Sequence, residues 1–187
     1  MKTKITVLIL SFTLAMGSSS TASAQAHEQG QIGITAGVGY SLIGGLFSSF
    51  SDVSVSPVIN GMVDYGIGDK FSLGLAFSYE SFKWTETGLF TTSVYTVKAT
   101  CMNIGVRPLF HFGNSDDLDW YFGGRVGITN WTVSDNDPTY ESTFDVPGIV
   151  GVMPLIGASW YPIENLGLNM EFGFGTYLAA IGAKARF

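Results

Sequence analysis

The stretch that decides the fold is the last eleven residues, Tyr177-Leu-Ala-Ala-Ile-Gly-Ala-Lys-Ala-Arg-Phe187. Its residues alternate in character with the two-residue period of a β-strand. One face is apolar and holds Tyr177, Ala179, Ile181, Ala183, Ala185 and Phe187. Lys184 and Arg186 fall on the opposite face. The pattern predicts a strand with one apolar and one charged face, and the rest of the chain must show whether the apolar face lies in a core or in lipid.

The N-terminal residues have the pattern of a cleavable secretory signal. Lys2 and Lys4 precede an apolar run at 5–16, and Ser-rich and small residues follow it. This run is well short of the roughly 20 residues that a membrane-spanning helix needs. We expect cleavage after Ala24, with Ala26 as the alternative, so that 1–24 is the signal and 25–187 is a single domain.

The composition favours a protein that crosses a membrane with strands. Charged residues make up 13% of the chain, against about 25% in typical soluble domains. No apolar run after the signal is long enough for a spanning helix. Seven basic and fifteen acidic residues remain after residue 24, a net charge of −8, which disfavours nucleic acid as a partner.

Eight segments of alternating hydrophobicity follow the signal. They lie at about 31–40, 54–65, 71–80, 94–112, 120–129, 147–160, 168–175 and 177–187. The third has the cleanest alternation, whereas both faces of the sixth are apolar or glycine. Lys98 falls on the apolar parity of the fourth, so we expect it above the membrane or after a bulge. Eight strands of roughly ten residues match a tilted bilayer span, and the sequence predicts an all-β, eight-stranded antiparallel up-and-down transmembrane β-barrel.

The connections between the predicted strands are alternately short and long. We expect periplasmic turns at 66–70, 113–119 and 161–166, and extracellular loops at 41–53, 84–93 and 133–146, with a very short last hairpin near 175–177. Aromatic residues flank both sets, as two lipid interfaces favour. Tyr177 is expected in the outer aromatic girdle and Phe187 in the inner one.

The chain resembles the small eight-stranded outer-membrane barrels typified by OmpX and the transmembrane domain of OmpA. The resemblance covers 31–187 and rests on the architecture, the signal and the pattern of Tyr177 and Phe187 in the last strand. It implies a barrel in the outer membrane of a bacterium with two membranes, inserted by the outer-membrane insertion machinery, with Tyr177 and Phe187 as the assembly signal. It also implies a role in envelope integrity, adhesion or narrow permeation. We expect a monomer in contact with outer-membrane lipids.

A soluble lipocalin-like barrel is the main rival architecture. It also has eight antiparallel strands, but its apolar face points inward. In this chain the polar face is mostly Gly, Ser, Thr and Asn, with few charges. Such a face would make a poor surface in water, so the membrane barrel is favoured.

The predicted lumen carries charges of both signs. Its candidates are Asp64, Glu80, Arg107, His111, Arg125, Glu171, Lys184 and Arg186. Eight strands enclose a bore that side chains nearly fill, and opposite charges can satisfy one another in a hydrogen-bonded plug. The alternative is a narrow or gated conduit whose charges select ions. Because a short hairpin joins their strands, we expect Glu171 and Lys184 to lie across from or diagonal to one another.

The sequence favours a non-enzymatic protein. Its two histidines, His27 and His111, fall near the signal and near a periplasmic turn, away from the outer rim where lipid-modifying barrels need their acid-base groups. No cofactor motif and no regularly spaced set of metal ligands is present in the sequence. A structural or surface-interaction role comes first, a channel for small solutes or apolar ligands second, and a lipid-modifying enzyme last.

Two predicted extracellular loops are unusually apolar. The first contains Leu46, Phe47 and Phe50, and the second contains Leu89 and Phe90. These side chains either pack against each other over the barrel mouth or form an exposed patch for an extracellular partner or an apolar ligand. The sequence leaves both alternatives open.

Overall fold

The computed structural model describes residues 26–49, 53–87, 94–113, 115–136 and 143–187. Its elements are β1 (Ile32–Tyr40), α1 (Leu42–Ser48), β2 (Val53–Val55), β3 (Val58–Gly68), β4 (Phe71–Thr87), β5 (Val94–His111), β6 (Leu118–Asp135), β7 (Thr143–Ile163), β8 (Leu166–Gly173) and β9 (Ala179–Arg186). The predicted signal at 1–24, together with Phe50, Leu89 and Phe90, lies outside the described residues.

All the strands except β2 close into one antiparallel ring. Each pairs with its neighbour in the chain, and β1 pairs with β9 to complete the circle. The short β2 adds to the upper part of β4, with Val55 opposite Phe82. In a closed ring each strand has a neighbour on both sides, so its backbone N–H and C=O groups form hydrogen bonds wherever both neighbours are present. The predicted eight-stranded barrel is confirmed.

The barrel is apolar outside and polar inside. In β4, Leu75 is 62% exposed whereas Ser78 is 2% exposed. Water-soluble proteins bury leucine and expose serine. The pattern of exposure in this barrel is the reverse, as expected for an outer face in contact with lipid. It excludes the lipocalin-like alternative, in which the apolar face would point inward.

The two ends of the barrel differ in the length of their connections. One end, called here the turn end, carries residues 69–70, 112–113, 115–117 and 164–165 of the connections and also residue 187. The other, called the loop end, carries α1, β2 and the tops of the longer hairpins. In outer-membrane barrels the short turns are periplasmic and the longer loops extracellular, so the loop end is assigned to the exterior.

Two hairpins rise well above the rest of the barrel. β4 continues to Thr87 and β7 begins at Thr143, so both strands run further than the sequence pattern predicts. Lys83 lies opposite Lys98 in the regular β4–β5 ladder. At about 2.5 Å of height per tilted residue, this pair lies roughly 30 Å above Phe71, beyond an apolar band about 25 Å tall. Lys98 is therefore above the membrane, one of the two expected alternatives.

A β-bulge explains why the sixth predicted strand shows no clear alternation. Thr129 pairs with Ile149, but two residues further along β6, Trp131 pairs with Val146. The extra residue falls at Pro147-Gly148 and reverses the parity of β7 above it. A single two-residue period therefore cannot describe the whole of Thr143–Ile163.

The barrel wall is low on one side of the loop end. The β7–β8 ladder begins at the pair Leu155 and Gly173, and β9 starts only at Ala179. Above Pro154, whose carbonyl accepts a hydrogen bond from the Phe174 amide, β7 pairs with β6 and with no other described strand. This gap in the wall above the hairpin at 174–178 is called here the notch.

The helix α1 begins at the loop end, directly after β1. Its N-cap residue is Ser41, whose Oγ accepts a hydrogen bond from the Gly44 amide at 2.7 Å. The same hydroxyl donates to the Glu80 carboxylate at 2.6 Å. This bond ties the start of α1 to the inner wall of β4. Among the described residues, no helix is long and apolar enough to cross a membrane.

We predict that an arginine on the outer face costs stability in proportion to its depth. Leu75 lies about midway up the apolar band, so Leu75→Arg should lower the free energy of unfolding by about 2–4 kcal/mol. Ile67, which is also exposed but lies beside the turn end, is the matched control, and Ile67→Arg should cost about 0–1 kcal/mol. Reversible urea unfolding in lipid vesicles measures both. Equal costs would show that the face does not contact lipid.

Candidate functional site

The centre of the lumen is occupied by Arg107 and two carboxylates. The Arg107 Nε lies 3.0 Å from Asp64 Oδ1, although its N–H is not aligned on that oxygen. The Arg107 Nη2 donates to Glu171 Oε1. These side chains come from β5, β3 and β8 and are all buried. One guanidinium therefore links three parts of the ring across the bore.

Two tyrosines complete the coordination of Glu171. The Tyr121 hydroxyl donates to Oε1 at 2.8 Å, and the Tyr177 hydroxyl donates to Oε2. Asn169 Nδ2 in turn donates to the Tyr121 oxygen at 2.5 Å. A buried carboxylate is stable when charge-assisted donors satisfy its oxygens, and Glu171 has a donor from each of three elements. Asp64, Arg107, Tyr121, Glu171 and Tyr177 are called here the central cluster.

Lys184 lies apart from Glu171. Its Nζ donates to Ser159 Oγ at 3.2 Å and lies 5.5 Å from the centroid of the Tyr121 ring. In the β8–β9 ladder Glu171 is opposite Ala180, four residues from Lys184, which is about 13 Å along a strand. The expectation that Glu171 and Lys184 face each other is wrong, because register places Arg107 at that carboxylate instead.

The turn end is closed by a second group of polar side chains. His111 hydrogen-bonds Ser72 Oγ through Nε2 at 2.8 Å and Asp119 through Nδ1 at 2.9 Å. The His27 ring stacks on His111 with centroids 3.6 Å apart, and its Nε2 lies 3.2 Å from the Gly68 carbonyl oxygen. Burial, followed by the nearby His111, lowers the pKa of His27 to about 4. His27 is thus neutral at neutral pH and covers the bore from below.

Ser72, His111 and Asp119 have the order and atom pairing of a Ser-His-Asp triad. Catalysis would also need space for a reacting carbonyl beside the serine and donors for its oxyanion. Ser72 is 1% exposed, and the neighbouring cavity, which His111 and Lys184 also line, measures about 10 Å³. That volume is about that of one water molecule. The arrangement is a packed hydrogen-bond chain with no room for a substrate.

Near the loop end, Arg125 and Glu80 are buried but belong to neither group. Arg125 Nη1 donates to Ser78 Oγ and Asn103 Oδ1, each at 3.1 Å, and to Thr176 Oγ1 at 3.2 Å. Glu80 accepts its hydrogen bond from Ser41. The ion pairs of the described residues join Arg107 to Asp64 and Glu171 and His111 to Asp119, so Arg125 has no described carboxylate within ion-pair distance.

The described contacts of Arg186, which was predicted to belong to the lumen charge network, lie at the turn-end rim and not in the central cluster. Its guanidinium lies 4.1 Å from the centroid of the Tyr161 ring, and its Nε donates to the Glu164 carbonyl. Both partners belong to the turn between β7 and β8 or lie next to it. This correction follows from position: Arg186 is the last residue of β9, so its long side chain reaches the rim.

The two residues proposed as an assembly signal lie in different surroundings. Phe187 is 40% exposed on the outer surface, and its backbone exchanges hydrogen bonds with Ile32 at 2.9 and 3.0 Å. Tyr177 is 5% exposed and points into the lumen, so its predicted place in the outer girdle is wrong. The alternation of β9 begins only at Ala179, and 174–178 form the hairpin. The assembly role itself stays a prediction.

The described part of the first apolar loop covers the barrel mouth and is also exposed. Phe47 contacts Phe82 edge to face at a centroid distance of 5.5 Å, and Phe82 lies 5.6 Å from Trp131. Leu46, one residue earlier, is 62% exposed. The helix α1 thus has one apolar side chain that packs over the mouth and another that is exposed.

Several lumen residues were missed by the sequence pattern. Asp119 was assigned to a turn, yet it is 2% exposed and hydrogen-bonds His111. Asn169 and Tyr121 also point inward, but strand alternation carries no information on the hydrogen bonds from Asn169 to Tyr121 and from Tyr121 to Glu171. No group of three or more potential metal ligands occurs among the described residues.

We predict that Arg107 and Glu171 are energetically coupled. Arg107→Met or Glu171→Gln alone leaves a buried charge or a set of donors unpaired and should cost about 3–5 kcal/mol. The double variant should cost less than the sum of the two single variants. A double-mutant cycle on the free energy of unfolding in vesicles measures the coupling. The matched control is the cycle of Glu171→Gln with Lys184→Met, where additivity is expected; additivity in both cycles would contradict the central cluster.

The fold has known counterparts among solved structures. Ail, the attachment invasion locus protein of Yersinia pestis, is 11% identical, with a TM-score of 0.53 over 85% of this chain and 99% of that chain. A de novo designed transmembrane β-barrel is 15% identical, with a TM-score of 0.53 over 86% of this chain and 98% of that chain. At these identities the likeness concerns the fold alone.

Sequence comparison gives the family. No curated protein matches the sequence. The family model described as "Outer membrane protein beta-barrel domain" matches residues 11–180, most of the chain. Its match agrees with the closed ring, the apolar outer face and the polar lumen. The chain belongs to the outer membrane protein β-barrel domain family and is a small β-barrel of the bacterial outer membrane.

Proposed function

We propose that the protein is a plugged, non-enzymatic outer-membrane barrel with a structural or surface-interaction role. The observation that carries the proposal is the central cluster, which connects β3, β5, β6, β8 and the hairpin at 174–178 across the bore. A structural barrel needs a rigid, closed interior, whereas a channel needs a continuous path.

The energetics of the central cluster favour a closed bore. Arg107, Tyr121 and Glu171 are each at most 1% exposed. Opening a path between them would separate a buried guanidinium from its carboxylates, and breaking one partner of such a pair costs about 3–5 kcal/mol. Below this cluster, His27 adds a second closure at the turn end.

Exposed apolar groups at the loop end support surface interaction. Leu46 and Phe144 are 62% and 64% exposed, and both lie above the apolar band. Apolar side chains grouped in water mark contact sites for partners. One Ail structure contains the heparin analogue sucrose octasulfate, a polyanion. The net charge of −8 after residue 24 in this chain disfavours a polyanion, so we propose an apolar protein surface as the extracellular partner.

The export and assembly of the barrel also belong to the proposal. We propose a signal at 1–24, a monomer surrounded by outer-membrane lipids, and insertion through the last strand. Phe187 is available on the outer surface beside Ile32. Tyr177 stays part of the proposed signal, although in the folded barrel its hydroxyl binds Glu171.

We predict that the refolded barrel does not conduct. In planar bilayers the wild type should give no steady current, because the central cluster fills the bore. Replacing Arg107, Glu171 and His27 together by Ser should produce current steps, since it removes the two side chains that span the lumen and the ring that covers the bore from below. Glu80→Ser, a buried carboxylate outside the central cluster, is the control and should stay silent. Steady ion-selective steps from the wild type would overturn the plug and favour the conduit.

We predict that Ser72 does not react as a nucleophile. A fluorophosphonate, which labels activated serines, should leave the folded barrel unmodified, because the cavity beside Ser72 cannot admit it. A known serine hydrolase in the same vesicles serves as the positive control. Labelling that disappears in Ser72→Ala would show an active triad and contradict the non-enzymatic assignment.

A further inference from the structure

A cavity of about 300 Å³ lies in the lumen at the loop end, above the central cluster. Its floor includes Ser78 and Thr176, the two hydroxyls that bind Arg125, and its walls include Trp131, Ile149 and Met153. The volume is at the lower end of the range of small-molecule sites, about 300–1,000 Å³. Such sites combine apolar walls with few convergent polar groups, which is the composition found here.

Arg125 is an incompletely satisfied cation beneath this cavity. The side chain is 2% exposed, yet its Nη2 has no hydrogen-bond partner. It also lines a small adjoining void together with Met153, Phe174 and Thr176, three residues that the larger cavity shares. A buried donor without an acceptor costs stability, and a buried cation needs a counter-charge. An anion entering from the cavity would supply both.

The direction of the Arg125 side chain follows from its neighbour. The β5–β6 register sets Arg107 beside Arg125 on the same inner face, between the pairs Val106–Val126 and Leu109–Gly123. Like charges repel, and the two guanidiniums diverge. Arg107 binds Asp64 and Glu171, whereas Arg125 donates to Asn103, Ser78 and Thr176 nearer the loop end and lies 5.7 Å from the centroid of the Tyr177 ring. The guanidinium therefore lies just below the cavity, where Nη1 donates to the cavity-lining Ser78 and Thr176 and the side chain borders the small void that shares Met153, Phe174 and Thr176 with the cavity.

The cavity borders the notch in the barrel wall. Its lining includes Ile149, Gly151 and Val152 of the upper part of β7, and Phe174 and Gly175 of the hairpin below. From Leu166 the hairpin is about 23 Å up the barrel, at about 2.5 Å per residue, close to the top of an apolar band about 25 Å tall. The opening is thus level with the lipid interface, where an amphiphile keeps its charged head.

We propose that this cavity binds an anionic single-chain amphiphile, with its head on Arg125 and its chain running past Met153 and Ile149 into the notch. Met153 is directly opposite Arg125 in the β6–β7 ladder and Ile149 opposite Thr129, so both point inward. Ile149 is nonetheless 61% exposed, because nothing covers the lumen beside it in the described structure. The site lies above the central cluster, so it is independent of whether the bore below conducts.

Glu80 faces the same cavity and limits what it accepts. Its carboxylate is held by Ser41 at 2.6 Å, one inward position above Ser78 on β4. An anionic head must therefore pass beneath it to Arg125, which favours one small charge over a polyanion. We therefore expect the anionic head to need Arg125 for binding, whereas Glu80 does not attract it.

The test uses Trp131 as a reporter in the cavity wall. Trp84, Trp120 and Trp160 are replaced by Phe, and the barrel is placed in phosphatidylcholine vesicles. Titration with 11-bromoundecanoate should quench Trp131 fluorescence saturably, and 11-bromoundecanol and a brominated alkyltrimethylammonium should quench far less. Arg125→Met should weaken quenching by the acid about tenfold or more. Equal quenching by the alcohol, or tighter binding of the cation, would overturn the proposal.

A second variant separates binding from folding. An ideal Cβ at Gly151 would meet only Met153 Cε, at 3.8 Å, so Gly151→Leu fills the cavity without touching Arg125 and should abolish saturable quenching. Gly61 is on the outer face of β3, where a Cβ would meet only the Thr35 carbonyl oxygen at 4.0 Å. In the control variant Gly61→Leu, the acid should quench Trp131 fluorescence as it does in the parent protein. Unchanged quenching in Gly151→Leu, or weaker binding in Glu80→Gln, would place the ligand elsewhere and refute the site.

The source of the amphiphile is tested separately. Vesicles containing phosphatidylglycerol with brominated chains replace the added acid, and brominated phosphatidylcholine is the control. Arg125-dependent quenching by the phosphatidylglycerol identifies an anionic membrane lipid as the ligand, and quenching by the free acid alone identifies a free carboxylate. Equal quenching by brominated phosphatidylcholine shows unspecific lipid entry and contradicts the assigned role of Arg125.

Discussion

The carboxylate of Glu171 is the contact on which the interior of the barrel depends. Lipid surrounds the outer face, so the polar groups of the inner face must satisfy one another. Glu171 accepts from Arg107, Tyr121 and Tyr177, and through them it connects most of the ring. Because Arg107 also reaches Asp64, one guanidinium serves both carboxylates of the central cluster. A closed hydrogen-bond network of this kind fixes the lumen side chains in one arrangement.

Arg107 takes up both carboxylates of the central cluster, and Arg125 above it has no described carboxylate within ion-pair distance. Asp64 and Glu171 are both used by Arg107, and Lys184 is turned toward Ser159 on the turn-end side. Arg125 is left with neutral partners. The charge asymmetry along the bore therefore follows from the directions of the two side chains, because Arg107 reaches both carboxylates whereas Arg125 donates to Asn103, Ser78 and Thr176.

The alternation of the sequence predicted the outer face well because lipid imposes one simple requirement on every second residue. In β4 this requirement holds without interruption from Phe71 to Ser78. The prediction failed where something other than lipid sets the side-chain direction. Tyr177 is in a hairpin, and the bulge at Pro147-Gly148 reverses parity. Lumen contacts were less predictable still, because a parity pattern places Glu171 inward but only the register decides that Arg107, and not Lys184, reaches it.

The unequal lengths of the hairpins decide where the upper lumen opens to the outer surface. The β4–β5 and β6–β7 hairpins rise above the bilayer, whereas β8 ends at Gly173, so the wall has one low side near the lipid interface. Buried side chains of the central cluster occupy the middle of the bore, whereas the low wall gives the upper lumen a sideways opening. Apolar residues of β7 line that opening, and the buried Arg125 lies next to it in a small void shared with Met153 and Phe174. In a barrel with a filled centre, the upper lumen thus becomes a surface of its own, in contact with lipid and solvent together.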